Sequence, residues 1–454
     1  MSATSASSTA PSPSGSCRAA PSAETGATSR LNAAFYDAVS FSNFFKRLGP
    51  GIITGAADDD PSGIATYSQA GAQAGYGLLW TVVLTWPMMV AVQSISARIG
   101  RVTGRGLAAN MLDLFPRPVV MALVVLLFVA NTINIGADLS AMGAALRLVA
   151  GGAQHLYTVL FALVTLLATV FVPYHRYVNV LKWLTFSLLA YVGVVFTVHV
   201  DWHAVAAGAV VPKFDGSGDT ITLIVAIFGT TISPYLFFWQ SSQEVEEEEA
   251  DPKAAPLLEK PQQAPRELER IGWETGVGMA ASNIVAFFIM LTTAVTLNAN
   301  GHTDIQTSEQ AAAALRPIAG NAAFVLFSLG IVGTGLLAVP VLAGSAAYAA
   351  GELFGWRCGL EHKCLEARGF YGVIAAAILI GIAVDLSPLD PIKALVWSAV
   401  INGVTVVPIL VALMIVAVRH RQMGKFVASP LQRIFGWLTT LMMAAAAIGM
   451  FATM

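Results

Sequence analysis

From about residue 49 to residue 453 the chain is a succession of apolar stretches, most of them about 20 residues long, the length that crosses bilayer hydrocarbon. No water reaches backbone groups in hydrocarbon, so such a stretch must satisfy its own N–H and C=O groups, and at this length it does so as a helix. Spans are predicted near 49–70, 76–97, 119–146, 156–173, 179–199, 220–243, 274–297, 321–350, 370–387, 392–418 and 434–453. Composition agrees: 56% of residues are hydrophobic and 11% are charged, where soluble domains carry about 25% charged residues. A single water-soluble core is excluded. The expected fold class is an all-α polytopic membrane protein with eleven transmembrane helices.

Residues 1–44 are rich in Ser, Ala, Thr, Gly and Pro without an apolar period and read as a disordered tail. No apolar core follows an early positive cluster, so no cleavable signal peptide is expected there. With eleven crossings, alternate loops must segregate Lys and Arg to the cytoplasm. All 25 basic residues except Arg147, Lys213, Arg316 and Lys393 fall in the tail or in loops on the tail's side. This places the N-terminus in the cytoplasm and the C-terminus outside, in the plasma or inner membrane. A miscount of one helix would scramble the pattern.

Two spans are interrupted. The first contains Asp58-Asp59-Asp60-Pro61-Ser62-Gly63, and the sixth contains Gly229-Thr230-Thr231-Ile232-Ser233-Pro234-Tyr235. Proline has no donor N–H and glycine tolerates unwound backbone, so carbonyls are freed at both places. Loose backbone at membrane depth survives only where it is buried in protein or lines a cavity. Eleven spans accommodate an inverted repeat of five plus five, about 45–200 and 215–420, with one appended helix near 434–453. The first span runs outward and the sixth inward, so the two breaks occupy corresponding positions. Such pairing points to a transport site near the bilayer midplane.

The donors at the breaks are oxygens: the Asp60 carboxylate, carbonyls near Ala57 and Thr230, and the hydroxyls of Thr230 and Ser233. Neither break contains Met, Cys or His, and oxygen donors suit hard cations such as Mg²⁺. Asp58 and Asp59 read as a cation-drawing vestibule, with at least one of them facing water because three buried carboxylates repel. Asn131, Asn134 and Asp138 share a face of the third span, where interhelical hydrogen bonds compete with a pathway role. Asn283 and Asn402 are open to the same two readings. The acidic stretch Glu244, Glu246–Glu249 and Asp251 reads as a solvated loop. Cys358, His362 and Cys364 lack a fourth ligand and read as a polar loop with two reduced thiols rather than a metal site. No phosphate-binding loop, G-x-S-x-G or H-E-x-x-H element occurs, which argues against an ATP-driven pump or a membrane hydrolase. No nucleic-acid partner and no resident cofactor are expected; the partners are the cation and the lipid bilayer. A cation channel usually needs filter rings from several subunits, so paired breaks in one chain favour a carrier.

Gly49-Pro50-Gly51, Asp60-Pro61-Ser62-Gly63-Ile64-Ala65-Thr66, Gly75-Tyr76 and Leu78-Leu79-Trp80 resemble the first two helices of the Nramp (natural-resistance-associated macrophage protein) divalent-metal transporters. The similarity extends through Ala137-Asp138-Leu139, the sixth-span break and Glu274. It implies a LeuT-type fold, alternating access and a divalent cation held between the first and sixth helices. The family's Asp-Pro-Gly-Asn is Asp60-Pro61-Ser62-Gly63 here, so its Asn ligand becomes Gly63. Its metal-binding Met becomes Ser233, or Ile232 if the register shifts by one, and its Ala becomes Thr230. This pattern resembles the Nramp-related magnesium transporters. The resemblance also associates proton movement with positions that read Ala141, Tyr235 and Gln240 here, beside a retained Asp138. Tyr and Gln do not titrate in the working range, so uptake of Mg²⁺ (and Mn²⁺) driven by membrane potential is expected. A proton-coupled Mn²⁺/Fe²⁺ carrier and an amino-acid or amine symporter on the same fold are the alternatives.

Overall fold

The computed structural model describes residues 49–172, 177, 186–212, 216–385 and 390–453. The expected tail at 1–44 lies outside the described residues, as do Arg18, Arg30, Lys46, Arg47, Arg176, Lys182 and Lys213. The described elements are helical. In chain order they are α1 (Pro50–Asp58), α2 (Pro61–Ala74), α3 (Leu79–Thr103), α4 (Leu107–Leu112), α5 (Arg117–Ala150) and α6 (Gln154–Phe171). Next come α7 (Leu189–Val195), α8 (Trp202–Val210), α9 (Gly218–Thr231), α10 (Pro234–Ala250), α11 (Ala264–Thr296), α12 (Ser308–Ala313) and α13 (Arg316–Ala319). The last are α14 (Ala323–Phe354), α15 (Arg368–Asp385), α16 (Pro391–Ala417), α17 (His420–Met423) and α18 (Pro430–Thr453).

Among the described residues eight helical segments, with α9 and α10 taken together, are long and apolar enough to cross a membrane. They overlay eight of the expected spans. The other three expected spans fall on the α1–α2 pair, on the short α7 and on α15. Large apolar side chains such as Trp86, Val125, Leu163 and Leu441 are exposed on the outer faces, where lipid rather than water is their solvent. Without a hydrophobic drive between helices, close backbone approach replaces it. A Cβ at Gly55 would lie 2.4 Å from the Gly278 carbonyl, so α1 and α11 touch backbone to backbone. A Cβ at Gly403 would lie 2.5 Å from the Val225 carbonyl, so α9 and α16 do the same. These two contacts fix where each broken helix stands.

Among the described residues, basic side chains at the end of α3 and the start of α5 bind neighbouring segments. Arg101 joins Glu248 at 2.7 Å and the Ala255 carbonyl, Arg98 meets the Val427 carbonyl, and Arg117 meets the Leu353 carbonyl.

Two expectations change in this region. The acidic stretch is the last part of α10 and not a solvated loop. Glu244 and Glu247 pair with Arg270, Glu248 with Arg101, and Glu246 accepts from the Tyr348 hydroxyl and Leu360 N–H. Partners on α3, α11 and α14 offset the like-charge repulsion that a sequence count sees. In turn α11 begins at Ala264 instead of Glu274, its first turns carrying the Arg270–Glu274 pair at 2.9 Å, an i,i+4 spacing that supports helix.

Candidate cation site

Both breaks follow from proline. Pro61 and Pro234 occupy first-turn positions, where a missing N–H costs nothing, and each pushes the preceding residue out of helical geometry. Asp60 is extended (φ −72°, ψ 170°), as is Ser233 (φ −72°, ψ 135°). Asp60 thereby becomes the N-cap of α2. Its Oδ1 accepts from Gly63 N–H at 2.7 Å and Ser62 Oγ at 2.7 Å. Its Oδ2 accepts from Asn134 Nδ2 at 3.2 Å. The same amide nitrogen donates to Asp138 Oδ2 at 3.0 Å, and Asn402 Nδ2 donates to Asn134 Oδ1 at 2.9 Å. One amide on α5 thus bridges two carboxylates, its orientation set from α16.

The second break faces the first. Thr230 Oγ1 lies 3.3 Å from Ser62 Oγ, and the Tyr67 hydroxyl donates to Thr231 Oγ1 at 3.3 Å. The Tyr235 hydroxyl donates to the Ala57 carbonyl at 3.1 Å, which leaves that oxygen a second lone pair for a cation. A Cβ at Gly63 would sit 3.3 Å from Thr230 Oγ1 and 3.5 Å from Asp60 Oδ1. A side chain at position 63 would therefore press on the Thr230 hydroxyl. Gly63 acts through its N–H as a positioning group for Asp60. Ser233 Oγ turns back along its own helix to the Gly229 and Thr230 carbonyls, at 2.7 and 2.9 Å. Ile232 is buried, with its N–H on the Phe228 carbonyl at 2.8 Å. Among second-break residues, Thr230 Oγ1 and the Tyr235 hydroxyl reach across, and Thr231 Oγ1 receives the Tyr67 hydroxyl.

The structure brings Asp60, Ala57, Gly63 and Thr230 together and separates the other two acids from them. Asp58 and Asp59 are 1% and 8% exposed, so neither faces open water as expected. Both turn to Ser282 on α11. Asp138 is fully buried with Oδ1 unpartnered, and Gln240 is fully buried with both amide atoms unpartnered. Asn131 leaves the group, donating to the Leu342 carbonyl and Ser345 Oγ on α14. Asn283 bonds to Thr85 and the Met279 carbonyl, a helix-packing role. Sequence reasoning missed Ser62, Tyr67 and Ser282. Ser62 carried a signal, since a hydroxyl two positions after an N-cap Asp can fold back on it. Ser282 carried none.

Among the described residues no three His, Cys, Asp or Glu side chains form a group able to hold a metal. The donor set at the breaks is accordingly one carboxylate with carbonyl and hydroxyl oxygens. At the Cys358–Cys364 loop, burial, with Glu352 and Glu246 adding negative charge nearby, pushes the Cys358 thiol up to about 12. That disfavours the thiolate a metal would need.

Two interrupted helices facing each other across buried oxygens, inside a bundle of membrane-length helices, define the broken-helix class of membrane proteins. Residues 51–453 match the family model described as natural resistance-associated macrophage protein-like, Nramp. The chain belongs to the Nramp family. It is 30% identical over 404 residues to a protein named divalent metal cation transporter MntH from Klebsiella pneumoniae (strain 342), covering 86% of this chain and 90% of that one. It is 29% identical over 406 residues to the protein of that name from Yersinia pestis (strain Pestoides F), covering 87% and 91%. The Eremococcus coleocola manganese transporter shares the fold at a TM-score of 0.70 and 17% identity, over 90% of this chain and 87% of that one. Mhp1, of the nucleobase-cation-symport-1 family, shares it at 0.57 and 12% identity, over 90% and 93%. The LeuT-type fold that the Nramp resemblance implies is the fold these neighbours have.

Proposed function

We propose that this protein is a secondary transporter that imports divalent cations, Mg²⁺ foremost and Mn²⁺ as well, by alternating access. Transport by the relatives, named as divalent metal cation transporters, supports the cation class. The observation that carries the Mg²⁺ preference is the donor set between the breaks. Asp60, the Ala57 carbonyl and the Thr230 hydroxyl are all oxygens, and Gly63, Ile232 and Ser233 supply neither sulfur nor imidazole. Mg²⁺ gives up water reluctantly and binds through one or two carboxylates plus water. Few protein ligands in a hard, oxygen-only site suit such an ion. The repeats, about 45–200 and 215–420, would rock about this site across eleven crossings, with the N-terminus cytoplasmic and the C-terminus outside.

The driving force in this reading is the membrane potential. A charge is worth about 2.3 kcal/mol per 100 mV, so a divalent ion gains roughly twice that on moving inward. Tyr235 is committed to the Ala57 carbonyl, Gln240 does not titrate, and Ala141 is apolar, so a relay beyond Asp138 is missing. A second reading, proton-coupled Mn²⁺/Fe²⁺ transport, draws on one observation: the unpartnered Oδ1 of buried Asp138. Uptake into liposomes with competing divalents and an internal pH dye separates the two. Mg²⁺ uptake that follows an imposed negative-inside potential without stoichiometric acidification is the expected result. Acidification that tracks uptake at clamped potential, and disappears in Asp138→Asn, would overturn it in favour of the second reading.

A further inference from the structure

Asp60 and its two acidic neighbours are treated very differently by the surrounding helices. Asp60 receives three donors. Asp58 and Asp59 converge instead on a single hydroxyl of α11: Ser282 Oγ lies 2.6 Å from Asp58 Oδ2 and 3.0 Å from Asp59 Oδ1. A hydroxyl carries one hydrogen, so it serves one of the two carboxylates at a time. Asp58 is 1% exposed, and its Oδ1, bonded to the same carbon as the oxygen on Ser282, has no hydrogen-bond partner. Among the described residues no Lys, Arg or His stands within ion-pair distance of either acid.

An unpaired buried carboxylate is far too costly to remain charged, and paired burial requires a counter-charge. Here two buried carboxylates share one hydroxyl, with no positive side chain beside them among the described residues. Oxygen donors of this kind select a hard cation. Asp59, at 8% exposure, is the more accessible of the two acids. The backbone contact of Gly55 with Gly278 holds α1 against α11, and Ser282 lies one turn further along α11.

We infer that Asp58, Asp59 and Ser282 form a second cation site on the α11 side of the first break, distinct from the one at Asp60, and that it takes a hard cation, either Na⁺ or a second divalent ion. The inference rests on the proposed function only in assigning the transported ion to Asp60. An ion there ties the hinge between α1 and α2 to α11, so its occupancy sets whether α1 can part from that helix. If the ion is Na⁺, it is a co-ion whose presence alters divalent uptake.

Equilibrium dialysis of the purified full-length chain in detergent, with radioactive Mn²⁺ and Na⁺ as probes, tests this directly. Wild type is expected to hold two cations per chain, either two Mn²⁺ or one Mn²⁺ with one Na⁺, which identifies the second ion. Asp58→Asn should lose the second ion and keep one Mn²⁺. Asp60→Ala should lose one Mn²⁺ and keep the second ion. Ser282→Ala removes no charge and should lose the second ion as well, while size-exclusion profiles report that each variant is folded. A wild type that binds one Mn²⁺ and no Na⁺, with Asp58→Asn and Ser282→Ala unchanged, overturns the site and leaves Asp58 and Asp59 sharing a proton. Loss of an ion in Asp58→Asn with no loss in Asp60→Ala sustains this site and instead removes Asp60 from the proposed transport function.

Discussion

The two broken helices solve the same backbone problem with opposite economies. At the first break the polar groups are carboxylates that add distant donors to local ones: Ser62 and Gly63 serve Asp60 from its own turn, Asn134 comes from α5, held by Asn402 from α16, and Ser282 comes from α11. At the second break the groups are neutral and largely satisfied at home. Ser233 Oγ returns to Gly229 and Thr230, and Thr231 Oγ1 to the Ile227 carbonyl. A carboxylate in a membrane interior needs more donors than its own turn supplies, whereas a hydroxyl can use the preceding turn of its helix. The first break therefore reports on the position of three other helices. The second contributes a wall of neutral oxygens, Thr230 Oγ1, Thr231 Oγ1 and the Tyr235 hydroxyl, that meet the first.

This contrast can be broken most forcefully at Asp60. Asp60→Ala should abolish saturable divalent uptake in liposomes while the protein stays monodisperse, and wild-type transport by that variant would transfer the site elsewhere. A smaller effect is expected from Asn134→Ala, which strips the amide bridging Asp60 and Asp138. A hydrogen bond to a charged group contributes about 1.5–3 kcal/mol, and 1.4 kcal/mol is about tenfold in affinity. Divalent affinity, read by isothermal titration, should change by roughly tenfold or more, and Asn134→Asp should not restore the wild-type value because it replaces two donors with a third acid.

At the second break the effects should be in selectivity rather than in activity. Ser233→Met introduces sulfur and should raise the Cd²⁺ to Mg²⁺ ratio in competition assays, since thioethers favour soft metals. The same change at Ile232 should do so only if that residue, not Ser233, faces the ion. Unchanged ratios in both variants would place the second break outside the ion's coordination. The smallest effect belongs to Ser233→Ala, which removes a local back-bond worth on the order of 1 kcal/mol. Thermal denaturation should shift slightly and transport should persist. A complete loss of transport would mean that the second break is not self-sufficient after all.

The region below the breaks shows how much of the molecule a linear reading misjudges. Counted along the chain, Glu244 and Glu246–Glu249 repel and read as a loop. In the fold Glu244 and Glu247 share Arg270, Glu246 meets Tyr348 and Glu248 meets Arg101, and the helix runs on to Ala250. A similar limit applied to the Asn131, Asn134 and Asp138 face. Their spacing places them on one side of α5, but α14 lies over Asn131 and the breaks lie over the other two.

What the sequence determined by itself was whatever depends on local chemistry and on the solvent. Apolar length in hydrocarbon dictates helices, Pro61 and Pro234 dictate two breaks, and the absence of sulfur and imidazole between them dictates an all-oxygen donor set. What the tertiary structure alone decided was which oxygens are already taken. Neighbouring acids at 58, 59 and 60 look equivalent in a row, yet an extended residue before proline sends Asp60 to α5 while Asp58 and Asp59 turn to α11. Hydrogen-bond partners that lie more than 70 residues away in the chain for Asn134 and more than 220 for Ser282 leave no periodic trace, because packing and not spacing brings them together.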